Sequence, residues 1–358
     1  MNESSNQSFF STIDAGEFWR RASECVVFDV RSPSEYAEAR IPGAINLPLF
    51  DDEQRAEVGT IYKNSGHDSA VLRGLKFAGE RMADLVVQAR AASHGAKPVL
   101  VHCWRGGMRS QSVGWLLKTA GFEPTVLEGG YKAFRAYARE FFDRPWQLHV
   151  VSGLTGAGKT RVLQLLAESG QQVLDLEGLA KHRGSAFGGI GQAVQPSTQQ
   201  FENELFSRLD SFDPTQRIWV EDEGNRIGTV VLPNTFYDLM RHSPAVFMDS
   251  SLSQRVENLL VDYGGLPPDQ LTASIDKIRK RLGPQNADEA LRAMQGQDVS
   301  RAIEIVLAYY DKTYLKAAKA MPRHEMPSLK IDQLSDAEIV EQTISIAERL
   351  IVTNASSR

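Results

Sequence analysis

Short apolar runs alternate with amphipathic stretches along the first 144 residues of the chain. Three of these runs, rich in β-branched and aliphatic residues, predict buried strands: Val26–Val30, Pro98–His102 and Thr125–Leu127. Apolar residues at helical spacing predict helices over residues 77–92 and 110–119. Residues 51–75 show no clear period, and we interpret them as a long polar insertion. Strands that alternate with helices are typical of a parallel sheet covered by helices.

The same alternation begins again after residue 144. Four further runs predict strands: His149–Val151, Gln172–Leu174, Ile218–Val220 and Ala245–Met248. An apolar helix is predicted around residues 162–166, and the chain beyond residue 252 is mainly helical in pattern. We therefore predict one α/β domain over residues 8–144 and a second, with a helical C-terminal region, over residues 145–358.

Length and composition limit the class of protein. The 358 residues are enough for two domains of ordinary size. No run approaches the ~18 consecutive apolar residues of a membrane-spanning helix, and we expect no secretory signal because the N-terminus lacks basic and apolar segments. The two cysteines, Cys25 and Cys103, are too few for a disulfide framework. We expect a cytoplasmic protein, kept in a reducing compartment.

Charge is unevenly distributed along the chain. In total, 40 basic and 45 acidic residues give a net charge of −5, which argues against indiscriminate binding to nucleic acid. Residues 276–330, by contrast, carry 11 basic and 7 acidic residues, a net of +4. The basic residues include Lys277, Arg279, Lys280 and Arg281. This segment is either the solvated face of amphipathic helices or a surface for nucleic acid.

Residues 153–160 read Gly-Leu-Thr-Gly-Ala-Gly-Lys-Thr and match the full phosphate-loop pattern G-x-x-x-x-G-K-[ST]. They lie between a predicted strand and a predicted helix, the context in which this pattern binds phosphate. Three glycines allow backbone N–H groups to turn toward an anion: Gly153, Gly156 and Gly158. The helix N-terminus adds positive potential. We expect Lys159 to contact the terminal phosphate and the Thr160 hydroxyl to bind Mg²⁺.

Carboxylates follow two predicted strands of the same domain. Residues 221–223 read Glu-Asp-Glu directly after a strand, the usual position of a Mg²⁺ ligand in phosphate-loop proteins. Asp222 is our candidate metal ligand together with Thr160, and a solvated strand end is the alternative. Asp175 and Glu177 follow another strand and are candidates for the same cleft. Acidic groups near a phosphate site make most sense if a metal ion lies between them.

A cysteine of the first domain has the surroundings of a nucleophile. Residues 102–110 read His-Cys-Trp-Arg-Gly-Gly-Met-Arg-Ser, so Cys103 lies between a buried strand and a helix. Converging N–H groups and the helix N-terminus favour the thiolate, and Arg105 and Arg109 add formal charge. The alternative is an inert buried cysteine, as we expect for Cys25. The pattern H-C-x5-R fits two chemistries: attack of cysteine on a phosphate, or transfer of sulfur or selenium.

Two upstream segments favour sulfur or selenium chemistry. Residues 29–36 (Asp-Val-Arg-Ser-Pro-Ser-Glu-Tyr) and 40–48 (Arg-Ile-Pro-Gly-Ala-Ile-Asn-Leu-Pro) resemble the rhodanese pattern D-x-R-x-x-x-E-[YF] … H-I-x-G-A-x-N-x-P. Arg40 stands where rhodaneses usually have histidine, a departure at a structural position. The cysteine loop is also one residue longer than the sulfur-specific rhodanese loop. A longer loop opens a wider anion site, suited to a phosphate-sized group such as selenophosphate.

A rhodanese-like domain joined to this phosphate loop resembles the family of bacterial tRNA 2-selenouridine synthases. Other segments agree with the family: residues 55–63, 175–180, 182–188, 221–223 and 226–228. The resemblance extends to about residue 330. It implies a rhodanese-like α/β domain followed by a P-loop NTPase-like α/β domain with a helical C-terminal region.

The resemblance implies a two-step change to a tRNA with 2-thiouridine at the wobble position. The sulfur is first geranylated with geranyl diphosphate, and selenium from selenophosphate then displaces the geranylthio group. Cys103 is the implied catalytic residue, either carrying selenium as a selenosulfide or helping to cleave selenophosphate. The implied selenophosphate contacts are Arg105, Gly106, Gly107 and Arg109. Residues 276–330 are the candidate tRNA surface, through Lys277, Arg279, Lys280 and Arg281.

Several alternatives stay open. We assign the phosphate loop to the departing diphosphate, with a nucleotide as the other candidate occupant. A cysteine phosphatase or sulfurtransferase fused to a nucleotide kinase would turn over small phosphate esters or thiosulfate without RNA. A non-catalytic tRNA-binding or sulfur-carrier module would bind RNA tightly even without Cys103.

Overall fold

The structure, a computed structural model, describes two stretches of the chain: residues 9–318 and 326–355. The chain divides into two compact units. The first runs to Phe141 and also includes Glu202–Phe206. The second holds Phe142–Phe201 and the chain from Ser207 onward. The domain boundary after residue 144 stays a prediction.

A parallel sheet organises the first unit. Its strands are β1 (Ser11–Ile13), β2 (Val26–Asp29), β3 (Ile45–Asn46), β4 (Pro98–His102) and β5 (Glu123–Leu127). They lie in the order β1-β5-β4-β2-β3, and every neighbouring pair is parallel. The helices along this stretch are α1 (Ala15–Arg21), α2 (Pro33–Glu38), α3 (Asp52–Ser65), α4 (His67–Ser93), α5 (Met108–Thr119) and α6 (Gly130–Glu140). The predicted α/β alternation is confirmed, with Phe28, Val101 and Leu117 fully buried in the core.

The interpretation of residues 51–75 as a polar insertion is wrong, because they form α3 and the first part of α4. The Asp51 carboxylate accepts a hydrogen bond from the Gln54 backbone N–H at 2.8 Å, and the Gln54 side chain accepts one from the Asp51 N–H at 3.2 Å. This reciprocal capping box starts α3. No residue of α3 is buried. The helix therefore has no apolar stripe by which its period would show in the sequence.

A second parallel sheet organises the second unit. Its strands are β6 (Leu148–Gly153), β7 (Gln172–Leu174), β8 (Ile218–Glu221), β11 (Ala245–Asp249) and β12 (Ser328–Lys330), and a separate antiparallel pair consists of β9 (Arg226–Ile227) and β10 (Val230–Val231). The sheet order is β12-β11-β6-β8-β7. The four predicted strands are confirmed. The edge strand β12 was not predicted, because only Leu329 of its three residues is buried.

Helices make up most of the second unit beyond its sheet. They are α7 (Lys159–Glu168), α8 (Leu176–Ala180), α9 (Thr198–Asp210), α10 (Asn234–His242), α11 (Leu252–Tyr263), α12 (Pro268–Lys277), α13 (Arg279–Leu282), α14 (Pro284–Gln295), α15 (Val299–Ala318) and α16 (Asp336–Ala355). The middle of α9, Glu202–Phe206, belongs to the first unit. The predicted helical C-terminal region is confirmed. Within the described residues, none of the helices has the length and apolar character needed to cross a membrane.

Both candidate loops follow inner strands of their sheets. Cys103 comes directly after β4, which lies between β5 and β2. The phosphate loop comes after β6, which lies between β11 and β8. Ligands of parallel α/β sheets bind outside the carboxyl ends of the strands. The fold therefore places each loop where its sheet is suited to bind a ligand.

Candidate functional site

The first turn of α6 holds the loop that carries Cys103, which we call the cysteine loop (residues 103–107). The Tyr131 N–H donates to the Cys103 carbonyl at 2.8 Å, and the Lys132 N–H donates to the Trp104 carbonyl at 3.0 Å. Backbone groups at the start of a helix lack partners within the helix, so the loop carbonyls satisfy them. The Arg105 side chain is exposed at the surface of the loop.

Two glycines allow the cysteine loop and the start of α6 to pack backbone against backbone. Gly106 has φ at 66°, and a Cβ there would lie 2.7 Å from the Leu127 carbonyl oxygen. Gly130 has φ at 62°, and its Cβ would lie 2.5 Å from the Cys103 oxygen and would also collide with the Gly106 nitrogen. Gly106 was among the predicted site residues, and Gly130 was not. The signal in the sequence was the Gly129-Gly130 pair directly after the predicted strand Thr125–Leu127 and Glu128.

Cys103 is buried, with 3% of its surface exposed, and its thiol has a hydroxyl neighbour. Its Sγ lies 3.2 Å from the Ser110 Oγ and 3.9 Å from the Gly107 carbonyl oxygen. The Ser110 hydroxyl also donates to that carbonyl at 3.0 Å. Ser110 thus links the thiol to the first turn of α5, a role that was not predicted. Both cysteines of the chain are free thiols.

Arg109 follows the cysteine loop in the first turn of α5, and its side chain is paired with a carboxylate. Its guanidinium donates to Glu35 at 2.6 and 3.3 Å, and Arg55 approaches the same carboxylate at 3.6 Å. Burial alone would raise the pKa of Glu35, but the hydrogen bond and charge of Arg109 outweigh it and hold the pKa below its usual value. Glu35 belongs to the rhodanese-like pattern, but its pairing with Arg109 was not predicted.

The other residues of that pattern hold the strand ends together. Asp29 and Arg31 form a buried ion pair, and the Arg31 guanidinium lies 4.0 Å from the centre of the Tyr131 ring. The Asn46 side chain donates to the carbonyls of Asp29 and Arg31 at 2.9 and 3.0 Å. His102 ends β4 fully buried, and burial lowers its pKa. These residues build a frame behind the cysteine loop, and the burial of His102 lowers its pKa although the charge of Asp29 opposes this.

The phosphate loop has the backbone that its glycines predict. Gly153, Gly156 and Gly158 have φ values of 152°, 80° and 79°, which favour glycine. The Lys159 ammonium donates to the Gly153 carbonyl at 3.0 Å, so it lies folded over the loop. Thr160 follows in the first turn of α7, the predicted position next to the anion.

A second element braces the phosphate loop from outside. Arg255 of α11 donates to the Thr155 carbonyl at 2.8 Å, and the Asn258 amide donates to the Gly156 carbonyl at 2.9 Å. Asp311 holds Arg255 through a bidentate pair at 2.6 and 3.0 Å. A planar guanidinium suits such a two-point contact. These contacts to the phosphate loop were not predicted, because Arg255 and Asp311 lie far from the loop in the chain and belong to no motif.

Asp222 lies beside the base of the phosphate loop. The Ser152 hydroxyl donates to its Oδ2 at 2.5 Å, and the Tyr314 hydroxyl donates to the same oxygen at 3.2 Å. Backbone pairing fixes this position, since the Asp222 N–H donates to the Val151 carbonyl at 3.0 Å. Among the described residues, no group of three or more histidine, cysteine or acidic side chains is arranged to hold a metal ion. Mg²⁺ at a phosphate site needs only one or two protein ligands besides phosphate and water.

Three glutamates, Glu177, Glu221 and Glu223, interact electrostatically with one another, and the charge of Lys159 acts on Glu177 and Glu223. Glu221 is buried; its Oε1 accepts the Glu177 N–H at 2.7 Å, and its Oε2 has no hydrogen-bond partner among the described residues. Burial raises the pKa of Glu221 well above its usual value. Burial, followed by the charge of Glu177, raises the pKa of Glu223 to about 8. The surroundings of Glu223 therefore favour its protonated form. A Cβ at Gly184 would lie within 3 Å of both carboxylates, at 2.6 Å from Glu223 and 2.9 Å from Glu177.

Comparisons with known proteins agree with this arrangement. The family model of the rhodanese-like domain matches residues 14–137, and the model described as the tRNA 2-selenouridine synthase AAA domain matches residues 146–265. A tRNA 2-selenouridine synthase of Bdellovibrio bacteriovorus is 38% identical over 90% of this chain and 85% of its own. That of Nitrosomonas europaea is 38% identical over 72% and 68%, and that of Pseudomonas putida is 36% identical over 82% and 88%. The chain belongs to the tRNA 2-selenouridine synthase family.

Family membership confirms the resemblance drawn from the motifs and the predicted fold class. The cysteine loop lies in the rhodanese-like region, and the phosphate loop lies in the region matched by the synthase AAA domain. The functions assigned above to single residues stay predictions. The chain beyond residue 265, which includes the basic segment, lies outside both matched regions.

In this member of the tRNA 2-selenouridine synthase family the basic segment begins at the end of α12. Lys277, Lys280 and Arg281 are exposed to solvent. Arg279 instead pairs with Asp276 at 2.8 Å and Asp288 at 2.5 Å. These contacts partly neutralise the charge of Arg279 within the protein. The sequence alone ranked Arg279 equally with the other three basic residues. Further basic residues of the segment, Lys319 and Arg323, lie outside the described residues.

Proposed function

We propose that this protein replaces the sulfur of wobble 2-thiouridine in tRNA with selenium, through an S-geranylated intermediate. The observation that carries the proposal is the presence, in one chain of this family, of a cysteine loop and a complete phosphate loop. The name of the relatives, tRNA 2-selenouridine synthase, supports the tRNA substrate and the product. We infer an enzyme of the transferase class that works in the cytoplasm, where tRNA is found.

In the first step the sulfur of 2-thiouridine attacks C1 of geranyl diphosphate. The C1–O bond breaks, the diphosphate leaves with the bonding electrons, and the base loses its N3 proton. Diphosphate leaves readily only when its charge is neutralised. We assign that task to the N–H groups of the phosphate loop and to Lys159, which lies 3.0 Å from the Gly153 oxygen and is free to exchange that contact for phosphate. Thr160 and Asp222 would hold Mg²⁺ beside the leaving group.

In the second step selenophosphate supplies the selenium. The Cys103 thiolate attacks phosphorus and expels hydrogen selenide, and water hydrolyses the resulting S-phosphocysteine to phosphate. Hydrogen selenide adds to C2 of the base, the geranylthiolate leaves, and the selenium-bound proton moves to N3. We prefer this cleavage to a selenosulfide on Cys103, because every atom and electron balances without an added oxidant or reductant. Arg105, Arg109 and the N–H groups of Gly106 and Gly107 are assigned to the phosphate.

We assign backbone contact with tRNA to the basic segment at α12 and α13. Lys277, Lys280 and Arg281 are exposed cations within a short stretch, which is the pattern of a phosphate-contacting surface. Arg279 is the weakest of the four candidates, because two aspartates already pair with it. Binding through such contacts depends steeply on salt.

The test is mass spectrometry of nucleosides from 2-thiouridine tRNA incubated with the protein, geranyl diphosphate and selenophosphate. Wild type should form 2-selenouridine. Cys103→Ala should accumulate the geranylated nucleoside, and Lys159→Ala should leave 2-thiouridine unchanged. Cys25→Ala and Lys118→Ala, the second at an exposed position of α5, are matched controls that should behave as wild type. Unchanged 2-thiouridine in every tube would overturn the proposal and favour the phosphatase–kinase alternative.

A further inference from the structure

An apolar pocket lies beside the phosphate loop, within the second unit. The centre of a water-sized sphere can occupy about 50 Å³ of it, and Thr155 of the phosphate loop forms part of one wall. Helices α11, α12, α14 and α15 form the other walls together with Ser185 and Phe187. The surface that these walls expose is apolar. An apolar space next to an anion-binding loop is suited to a ligand with a charged head and an apolar tail.

One face of α15 forms the long side of the pocket, through Val299, Ala302, Ile303, Val306, Leu307 and Tyr310. These positions follow the helical period and make a continuous apolar stripe. The stripe begins near the phosphate loop, because Asp311 binds Arg255 and Arg255 binds the Thr155 carbonyl. From there it rises roughly 16 Å at 1.5 Å per residue. The pocket therefore leads away from the phosphate loop along α15.

The polar atoms of the pocket's tyrosines already have partners. The Tyr310 hydroxyl accepts a hydrogen bond from the Ala186 N–H at 2.9 Å, and the Tyr263 hydroxyl lies 3.5 Å from the Ser185 Oγ. Their rings remain as pocket wall. A nucleoside carries several donors and acceptors that need partners when they are buried. The apolar walls therefore suit a hydrocarbon chain, and few polar groups are left to pair with a buried nucleoside.

We propose that the pocket binds the hydrocarbon chain of a prenyl diphosphate whose diphosphate occupies the phosphate loop. The second unit thereby selects a prenyl diphosphate over a nucleotide, the alternative that the sequence left open. That the ligand is a diphosphate rests on the proposed function. That it carries an apolar chain rests on the pocket alone. Each methylene that leaves water on binding strengthens binding by roughly fourfold.

Calorimetric titration of the full chain with geranyl diphosphate, inorganic pyrophosphate and ATP tests the inference. Wild type should bind geranyl diphosphate at least about tenfold more tightly than pyrophosphate, since several methylenes are buried, and ATP no more tightly than pyrophosphate. Ile303→Trp, which fills the pocket, should remove the advantage of the geranyl chain and leave pyrophosphate affinity unchanged. Ala308→Trp is the matched control, because Ala308 is exposed on the same helix.

Val299→Trp, at the far end of the stripe, is the second variant. It should weaken farnesyl diphosphate more than geranyl diphosphate and should spare dimethylallyl diphosphate. Unchanged pyrophosphate affinity shows that each variant is folded. Wild-type binding of geranyl diphosphate by both tryptophan variants would overturn the inference, as would equal affinity of wild type for geranyl diphosphate and pyrophosphate.

Nucleoside analysis of the same variants separates this inference from the proposed function. Chain-dependent binding without a geranylated nucleoside in any reaction would support the pocket and overturn the proposed function. Geranylation at the wild-type rate by both tryptophan variants, at geranyl diphosphate well below saturation, would leave the proposed function intact and overturn the pocket. A loss of geranylation that higher geranyl diphosphate restores would support both.

Discussion

The Arg109 guanidinium binds both carboxylate oxygens of Glu35, at 2.6 and 3.3 Å, beside the loop that carries Cys103. The pair is largely shielded from solvent, with 17% and 21% of the two side chains exposed. A two-point contact fixes the plane of the guanidinium as well as its position. Arg109 is therefore oriented before any anion arrives, and its remaining N–H groups are available for a phosphate.

Glu35→Gln should lower the free energy of unfolding by about 1 kcal/mol at pH 7, since a charge-assisted hydrogen bond is weakened at a partly exposed site. The pKa of Glu35 lies below its usual 4.5 in the folded protein. Its carboxylate therefore contributes stability that is present above that pH and is lost as the pH falls through the folded pKa. Urea unfolding at pH 7 and pH 3.5 should show a difference from wild type that shrinks at the lower pH.

Glu123→Gln is the control for this prediction, because Glu123 is exposed in the same unit. It should change stability little at either pH. An equal loss for Glu35→Gln at both values would contradict the prediction, since it would mean that the glutamine shape, and not the missing charge, destabilises the unit.

Gly130→Ala should disable the cysteine loop. The added Cβ would meet the Cys103 carbonyl at 2.5 Å in a backbone region, φ at 62°, that favours glycine. The loop must then move, and we expect the selenium step to fall by at least about a hundredfold, as for other displaced catalytic groups. Geranylation should continue, so the geranylated nucleoside should accumulate in the mass-spectrometric assay.

Gly121→Ala separates the collision from the backbone strain. Gly121 also has a positive φ, of 93°, but a Cβ there would meet nothing within 4 Å. We expect Gly121→Ala to lower stability modestly and to keep the selenium step. A similar loss of that step in both variants would show that strain alone, without contact at Cys103, accounts for the effect.

The sequence predicted both candidate loops because each carries its chemistry within one continuous segment. Residues 102–110 and 153–160 follow predicted strands, and the structure has those strands at β4 and β6. A strand–loop–helix unit is a local structure whose glycines and flanking apolar runs are all visible in the sequence. The partners of these loops were not visible. Arg255 reaches Thr155 from 100 positions along the chain, and only packing brings them together.

The helices α3 and α4 show the second limit. Their residues include exposed apolar side chains such as Tyr62, Leu72 and Leu75, and α3 has no buried face. Hydrophobic periodicity reports burial, so a helix that buries nothing gives no periodic signal. The local capping signal at Asp51 and Gln54 was present in the sequence and would have marked the start of α3.

Removing exposed cations from the basic segment should weaken tRNA binding in a salt-dependent way. Each of Lys277→Ala, Lys280→Ala and Arg281→Ala should reduce the slope of log affinity against log salt by roughly one where the cation contacts a phosphate. Arg279→Ala should change the slope least, because Asp276 and Asp288 already pair with Arg279. Filter binding across a salt series measures this. If only Arg279→Ala changed the slope and the other three variants kept the wild-type slope, the assignment would be contradicted.

His149 should make the second unit sensitive to acid. It is buried in β6 against Trp219, neither ring nitrogen has a partner among the described residues, and burial lowers its pKa from 6.5 to about 4. The unfolded chain takes up a proton below pH 6.5 while the folded protein does not. Stability should therefore fall by about 3 kcal/mol as the pH drops from 6.5 to 4.

His149→Phe should lack this loss, so its stability relative to wild type should rise between pH 7.5 and pH 4.5 in urea unfolding. His94→Asn, at an exposed position, is the control and should keep the wild-type profile. If His149→Phe loses stability as steeply as wild type over that range, another group carries the acid sensitivity.

Glu223, in contrast, should lower the stability of the folded protein as the pH rises. Burial, followed by the charge of Glu177, raises its pKa from 4.5 to about 8. The folded protein then keeps a proton that the unfolded chain releases above pH 4.5, so this contribution to stability falls as the pH rises toward 8. Glu223→Gln resembles the protonated acid and cannot titrate. Its stability relative to wild type should increase steadily from pH 5.5 to pH 8.5 in urea unfolding, whereas a constant difference over that range would mean that Glu223 is already ionised beside Lys159.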